Sequence, residues 1–451
     1  MVKKKNKKIN KKAWVVTVNM GYGHQRASHP FSNIAQDGIM VANDYQGIPA
    51  GDKRKWESSR KFYEMVSRAK HLPLIGEYIF GLYDKYFQSI ASFYPKRDLS
   101  KPNLQLKQMY RMINKGWGKN LIASLNKKNL KLPFLTTFFV PAFFAEEHGY
   151  EGEIYCVLCD ADISRTWAPL APAKSRIKYL APNNRVLERL KLYGVPKKNI
   201  YLTGFPLPKE NIGGRDMKII KKDLWHRIHH LDPKHHFIDK YKESLVHYLG
   251  KENGQHTKDC KLNLTFAVGG AGAQRELGMD IVKSLKEKIK KDELIVNLVA
   301  GVHKDVYDYF TKNIKKVGLS KYLNKNINIL FEKDKNIYFD KFNKLLRRTD
   351  ILWTKPSELT FYNGLGIPII MAPPIGSQEV FNQRWLRAIG GGVNQLNPKH
   401  THQWLPDWLG SGWLAEAALQ GFLDAPKFGA YKIEELLFKG KIKKEDGVEL
   451  L

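Results

Sequence analysis

Ten apolar runs of strand length, in two series of five, constrain this chain more than any other feature. The first series is "WVVTV" at 14–18, "LTTFFV" at 135–140, "IYCVLC" at 154–159, "IKYLAP" at 177–182 and "IYLTGFP" at 200–206. The second is "LNLTFAVGG" at 262–270, "ELIVNLVAG" at 293–301, "INILFE" at 327–332, "DILWTK" at 350–355 and "PIIMAPP" at 368–374. Strands that are apolar throughout are covered on both faces. Helical patterns between them, at 56–70, 104–126 and 183–193, supply the cover, so each series predicts a doubly wound parallel sheet. At 451 residues the chain exceeds what one core sustains, about 250–300 residues, and two α/β domains are expected.

The remaining segments set the boundaries. A basic tail covers 1–12 and a first domain 13–208, with a basic amphipathic segment at 61–126. A polar, histidine-rich stretch at 209–260 reads as a solvated helical insert or linker; a second domain follows at 261–392 and a helical tail at 393–451. The histidines of "LWHRIHHLDPKHH" are not framed by Cys or carboxylate at ligand spacing, so no metal site is expected there. Trp404, Trp408 and Trp413, at helical spacing, are expected to pack onto a domain. "CVLC" at 156–159 lies inside an apolar run, where positions three apart point to opposite faces of a strand. Its cysteines are read as buried structural thiols in a reducing, cytoplasmic compartment. The stretch at 132–145 is too short to span a bilayer and is broken by Pro141, and no signal peptide is read at the basic N-terminus.

The formal net charge is +31, with seven lysines in the first twelve residues. Such an excess implies an anionic partner: nucleic acid, an acidic membrane surface or a phosphorylated substrate. No zinc knuckle, ribonucleoprotein motif or helix-turn-helix is evident, which disfavours nucleic acid. In segment 61–126 aromatic and aliphatic residues interleave with Lys and Arg, a pattern that fits a membrane-surface helix and, equally, a core-facing helix with a solvated basic face.

In open α/β sheets ligands bind beyond the carboxyl ends of the strands, and four segments fall there. Gly21-Tyr22-Gly23-His24 ends the first run. "VGGAGAQRE" (268–276) carries glycines that let backbone N–H groups approach a diphosphate. "TKPSELTFYNG" (354–364) offers Lys355, Ser357 and Thr360 as donors, and "PPIGSQEVFNQRW" (373–385) carries the Gln378-Glu379 pair. "GGAGAQ" lacks the Gly-x-Gly-x-x-Gly form, no acidic residue ends the next strand and there is no Walker lysine. A dehydrogenase and a P-loop enzyme are both disfavoured.

These segments together resemble a family. "GYGHQRAS" (21–28), "CVLCDADISRTWAP" (156–169), "LERLKLYGVPKKNIYLTGFPL" (187–207), "RRTDILWTKPSELT" and "GSQEVFNQRWLRAIGGG" are similar to motifs of GT-B glycosyltransferases. That group includes monogalactosyldiacylglycerol synthase, the processive diacylglycerol glucosyltransferases and the lipid II N-acetylglucosaminyltransferase. The likeness spans about 14–30, 135–207 and 262–392. There are departures: Gln25 is inserted before Arg26, Ser164 and Arg165 stand where the family has a histidine, Asn363 stands where a ribose-binding glutamate is expected, and Ser377 replaces a glycine.

The resemblance implies two Rossmann-like domains facing a cleft, and inverting transfer of a hexose-type sugar from a UDP-sugar to a lipid at the inner face of the cell membrane. No metal or other cofactor is expected. Such chemistry needs stabilisation of the departing diphosphate and a base for the acceptor hydroxyl. Gly269, Gly270, Gly272, Gln274 and Lys355 suit the first task, with Ser357, Thr360, Asn363, Gln378 and Glu379 completing the nucleotide-sugar site. His24 suits the second; Asp160 and Asp162 either orient it, act as base themselves or cap the next segment. Gly21, Gly23 and Arg26 form the acceptor or phosphate loop. A GT-B-fold UDP-sugar 2-epimerase is the alternative enzyme, and a basic nucleic-acid-binding protein the alternative outside enzymes.

Overall fold

The structure, a computed structural model, describes residues 11–58, 90–251, 261–269, 272 and 274–442. Two six-stranded sheets, parallel throughout, form the expected pair of doubly wound α/β domains. The first contains β1 (Trp14–Thr17), β2 (Met40–Val41), β3 (Phe134–Thr136), β4 (Ile154–Val157), β5 (Lys178–Ala181) and β6 (Ile200–Leu202), in the order β2-β1-β3-β4-β5-β6. Trp14 pairs with Phe134, and Phe134 in turn with Ile154. The run at 135–140 is shared between β3 and a helix: α1 (Tyr22–Ser28) follows β1, and α2 (Phe139–Glu147) starts two residues after Leu135-Thr136-Thr137. Cys156 and Cys159 are both free and buried, each thiol held protonated by burial.

The second sheet contains β7 (Leu262–Ala267), β8 (Leu294–Gly301), β9 (Ile327–Phe331), β10 (Ile351–Thr354), β11 (Ile369–Met371) and β12 (Gly392–Asn394), in the order β12-β11-β10-β7-β8-β9. Phe266 pairs with Trp353 at its centre. The strands absent from the ten apolar runs, β2 and β12, are edge strands of two and three residues.

The described part of the stretch at 209–260, residues 209–251, is largely helical, but it is not a solvated linker. In α3 (Lys218–Leu231) and α4 (His236–Leu249), Ile220, Leu224, Ile228, Leu231 and Leu245 are fully buried in the same cluster as Leu264 and Phe266 of β7. These helices therefore belong to the second domain's core. The helices that frame its site are α5 (Arg275–Ser284), α6 (Lys335–Leu346) and α7 (Ser377–Ala388). Trp404 and Trp408 pack against the sheet through Trp353, with ring centroids 5.3 and 4.5 Å apart along the series; Trp413, which opens α8 (Trp413–Asp424), stays 48% exposed. The tail beyond it divides. α9 (Gly429–Lys439) leaves the second domain and covers the first sheet, where Ile433 and Leu436 pack with Val15, Leu135 and Val157.

Residues 1–10 and 59–89, which hold most of the basic tail and much of the amphipathic segment, lie outside the described residues. Among the described residues no helix is long and apolar enough to cross a membrane.

Candidate functional site

Strand order reverses direction between β1 and β3 in the first sheet and between β7 and β10 in the second. At such points neighbouring connections leave to opposite faces and open a crevice beyond the carboxyl ends. The loops from the two crevices meet. Gly23 packs so closely on Glu358, which follows β10, that a Cβ there would lie 3.1 Å from Glu358 Oε2.

His24 sits in α1, which starts directly after Gly21; the φ of +100° at Gly21 allows the abrupt turn out of β1. The imidazole Nδ1 lies 2.7 Å from the Thr137 carbonyl oxygen. A carbonyl only accepts, so Nδ1 carries the hydrogen and Nε2 keeps the lone pair. The ring packs against Phe138, with centroids 4.8 Å apart, and lies 6.2 Å from Trp167. Burial pushes its pKa down to about 4 against the opposing effects of the Thr137 bond and Glu358, so it is a neutral base at pH 7.

Asp160, just beyond β4, accepts a 3.0 Å hydrogen bond from Asn382 Nδ2 of α7. Asn382 is fully buried, and its Oδ1 accepts from the Ala161 N–H at 2.7 Å, so one amide ties the two domains at this point. Burial, with Glu358 and Glu379 nearby, pushes Asp160 up to about 6; the Asn382 bond and Lys355 oppose the rise. A carboxyl poised there can accept and return a proton near neutrality.

Asp162 does not share this position. It is fully buried and accepts from Arg189 Nε and Nη2, both at 2.8 Å, from Arg185 Nε at 2.6 Å and from the Ile163 N–H at 2.9 Å. With its lone pairs committed, it anchors the helix Asn184–Leu192 to the β4 loop and is not a catalytic group.

Arg26 likewise departs from the expected phosphate role. It is 4% exposed, pairs with Glu358, donates to the Tyr338 hydroxyl at 2.6 Å, and lies over the rings of Tyr22 and Phe342. Tyr22 accepts from the Val302 N–H at 2.9 Å and fills the space over Gly301, where a Cβ would lie 2.4 Å from its oxygen. Gly23, Arg26 and Tyr22 thus join the domains; Gly21 is exposed and makes the turn.

On the facing wall, Gly269 leaves room for Lys355, whose Cε lies 2.6 Å from where a Cβ would be. Gly272 has φ +70° and Gln274 φ +65°, the latter donating from Nε2 to the Pro373 oxygen at 3.1 Å before α5 begins; Gly270 lies outside the described residues. Lys355 pairs with Glu379, which also accepts the Ile375 N–H at 2.7 Å, so the carboxylate aims the ammonium and fastens the start of α7. Gln378, half-buried, lies in the first turn of α7 beside Ser377, whose buried Oγ has no partner among the described residues.

Ser357 precedes the 3₁₀ run Glu358–Leu365, and its carbonyl accepts both the N–H and the hydroxyl of Thr360, at 3.0 and 2.8 Å. Fully buried, Thr360 has no donor left for a ligand. Asn363 is also fully buried: its Nδ2 donates to Ile367 and Gly391 oxygens, and Gly391 and Gly421 press on its amide. It locks the packing of β11 and cannot hold a ribose. Glu358 and Asn382 are the site residues that sequence reasoning missed. An asparagine, a poor helix former, placed on the buried side of a helix is the available signal for Asn382; nothing local singles out Glu358. Among the described residues no three of His, Cys, Asp and Glu converge as a metal site.

Residues 235–431 match a family described as a domain of unknown function (DUF6938). No curated protein sequence matches the chain. Among solved structures, the chain is similar to a putative UDP-N-acetylglucosamine 2-epimerase from Listeria monocytogenes, at 11% identity over 97% of this chain and 99% of that one, TM-score 0.48. It is similar also to MurG of Acinetobacter baumannii, at 11% identity over 95% and 99% of the two chains, TM-score 0.48. A third likeness is to Alr3699/HepE of Anabaena, solved in complex with UDP, at 11% identity over 95% and 99%, TM-score 0.44.

Proposed function

We propose that the cleft binds a nucleotide-diphosphate sugar, a UDP-sugar on the motif resemblance, and transfers the sugar with inversion to a lipid hydroxyl at a membrane surface. The observation that carries this is the pairing of two proton acceptors, His24 and Asp160, on one wall with the Lys355–Glu379 pair and the start of α7 on the other, bridged by Asn382. First-turn N–H groups and a cation suit a departing diphosphate. A neutral imidazole or a carboxylate suits removal of the acceptor's proton as the new bond forms on the opposite face of the sugar. Transfer gives one nucleoside diphosphate and one elongated acceptor, the proton leaving on the base.

A second reaction, epimerisation of the nucleotide sugar, is favoured by the way Tyr22 and Arg26 fill the cleft between the sheets, since it needs no acceptor. A screen of UDP-sugars with extracted lipids, read by mass spectrometry, separates the two: a glycosylated lipid supports transfer, and a rearranged sugar nucleotide without lipid product supports epimerisation. UDP is expected to bind in EDTA by calorimetry. Binding that appears only on adding magnesium or manganese would overturn the metal-free donor site.

A further inference from the structure

On the β2 side of β1, opposite the side to which His24 leans, a cavity of about 480 Å³ lies between the two domains. Thr17, Gln25, Ser28 and Ile39 line it from the first domain, and Lys335 and Phe339 from α6 of the second. Its volume is that of a small-molecule pocket, and nothing in the chemistry of His24 and Asp160 uses it.

Three features give its chemistry. Gln25 is 6% exposed, yet its Oε1 has no hydrogen-bond partner and no protein group bonds its Nε2 among the described residues. Buried amides are ordinarily paired, and one left unpaired at both ends offers a donor and an acceptor together, the complement of a hydroxyl. Lys335 gives one of its three donors to Asn19 Oδ1 at 2.7 Å and keeps two; burial pulls its pKa below the usual lysine value, with Asp44 opposing. Lys335 also opens a twelve-residue helix, where Asp334 satisfies only the Ile337 N–H among the first-turn donors that lack intrahelical acceptors. The carboxylate on the cavity wall, Asp340, is 61% exposed and is paired with His29 Nε2 at 3.0 Å, while His29 Nδ1 is buried without a partner among the described residues.

We propose that this cavity is a second binding site, for a small phosphate monoester that carries a hydroxyl: Lys335 and the first turn of α6 hold the phosphate, and the Gln25 carboxamide pairs with the hydroxyl. Because the walls belong to different domains, the ligand bridges them. The proposal does not depend on sugar transfer, and its failure leaves that reaction untouched.

The test uses the full chain and calorimetry with glycerol 3-phosphate as the probe, glycerol as the uncharged control, and saturating UDP in a parallel series. Glycerol 3-phosphate should bind, glycerol should bind far more weakly, and UDP should not displace the probe. Lys335→Met keeps the stem and removes the charge, and should weaken binding at least about tenfold, the usual effect of losing a charged hydrogen bond; Lys335→Arg should recover most of it. Gln25→Met should lose affinity while the Tm holds or rises, since it removes an unpaired buried amide. Vesicles of lysophosphatidic acid, a phosphate monoester that keeps one glycerol hydroxyl, in phosphatidylcholine identify the source: a Lys335-dependent part of vesicle binding marks a lipid headgroup, and its absence alongside glycerol 3-phosphate binding marks a soluble ester. No binding of either probe, displacement by UDP, or unchanged affinity in both Lys335→Met and Gln25→Met overturns the site.

Discussion

His24 and Asp160 can each take a proton, and pH tells them apart. Imidazole held down to about 4 is already a free base across the neutral range, whereas the carboxyl held up to about 6 gains its charge there. A rate that climbs through about pH 6 assigns the base to Asp160; one level at pH 6 and falling only toward 4 assigns it to His24. His24→Ala should leave UDP affinity unchanged and lower turnover roughly 100- to 10,000-fold, with His24→Gln nearly as inactive. Rescue by Gln and a lowered Tm in Ala mark a structural histidine instead. Stability responds to the same two groups, with opposite signs. The raised Asp160 binds its proton more tightly when folded, so its contribution is full below 3.8 and lost as pH rises to about 6. The lowered His24 contributes fully above 6.5 and loses that as pH falls toward 4. Between pH 4 and 6 the two contributions oppose each other, so Asp160→Asn should expose a rise of stability with pH in denaturation curves, and His24→Gln a decline. The placement of His24, Asp160 and Lys355 beyond strand ends was legible, because each lies in the segment that leaves a buried strand: Lys355 at once, Asp160 after Leu158 and Cys159, and His24 in the helix that follows β1. Arg26, Asp162, Thr360 and Asn363 were misread because satisfaction of a polar side chain depends on distant partners: Arg26 meets Glu358 332 residues on.

Apolar runs reveal central strands because both faces of a parallel sheet are covered, and that pattern exposed ten of the twelve. The two it missed are both edge strands, β2 half-exposed and β12 beginning on a glycine, whereas the other two edges, β6 and β9, are apolar enough to show. α3 and α4 were legible as helices but not as core, since their charged faces dominate composition while one stripe of Ile and Leu does the packing. α9 shows the same division, with Ile433 and Leu436 inward and Glu434 and Glu435 paired outward with Lys209 and Arg215. Ile433→Ala should cost about 2–5 kcal/mol, read by chemical denaturation, as expected for a fully buried aliphatic side chain. A loss near zero would show that α9 rests on the sheet without securing it.

The two domains are joined by a buried ion pair, Arg26–Glu358. Glu358→Gln leaves a buried guanidinium uncompensated and should cost about 3–5 kcal/mol, whereas Arg26→Met combined with Glu358→Leu should cost less than the sum of the single changes. Additive losses in a denaturation cycle would show that the pair contributes no coupling. The net charge of +31 acts on the molecule as a whole. Deleting residues 1–12 should weaken binding to anionic vesicles and reduce its salt sensitivity, because exposed charges are screened within about 10 Å at 0.1 M salt. Equal binding to neutral and anionic vesicles would transfer the role to apolar side chains. The return of α9 to the first sheet also orders events during synthesis. Phe31 and Ile34 cover Val15 and Leu135 only in part, so a chain still on the ribosome carries a first sheet with one face incompletely covered until residues near 439 emerge. The first domain to be made is the last to be finished, and a translation product cut short before α9 is the form most prone to aggregate.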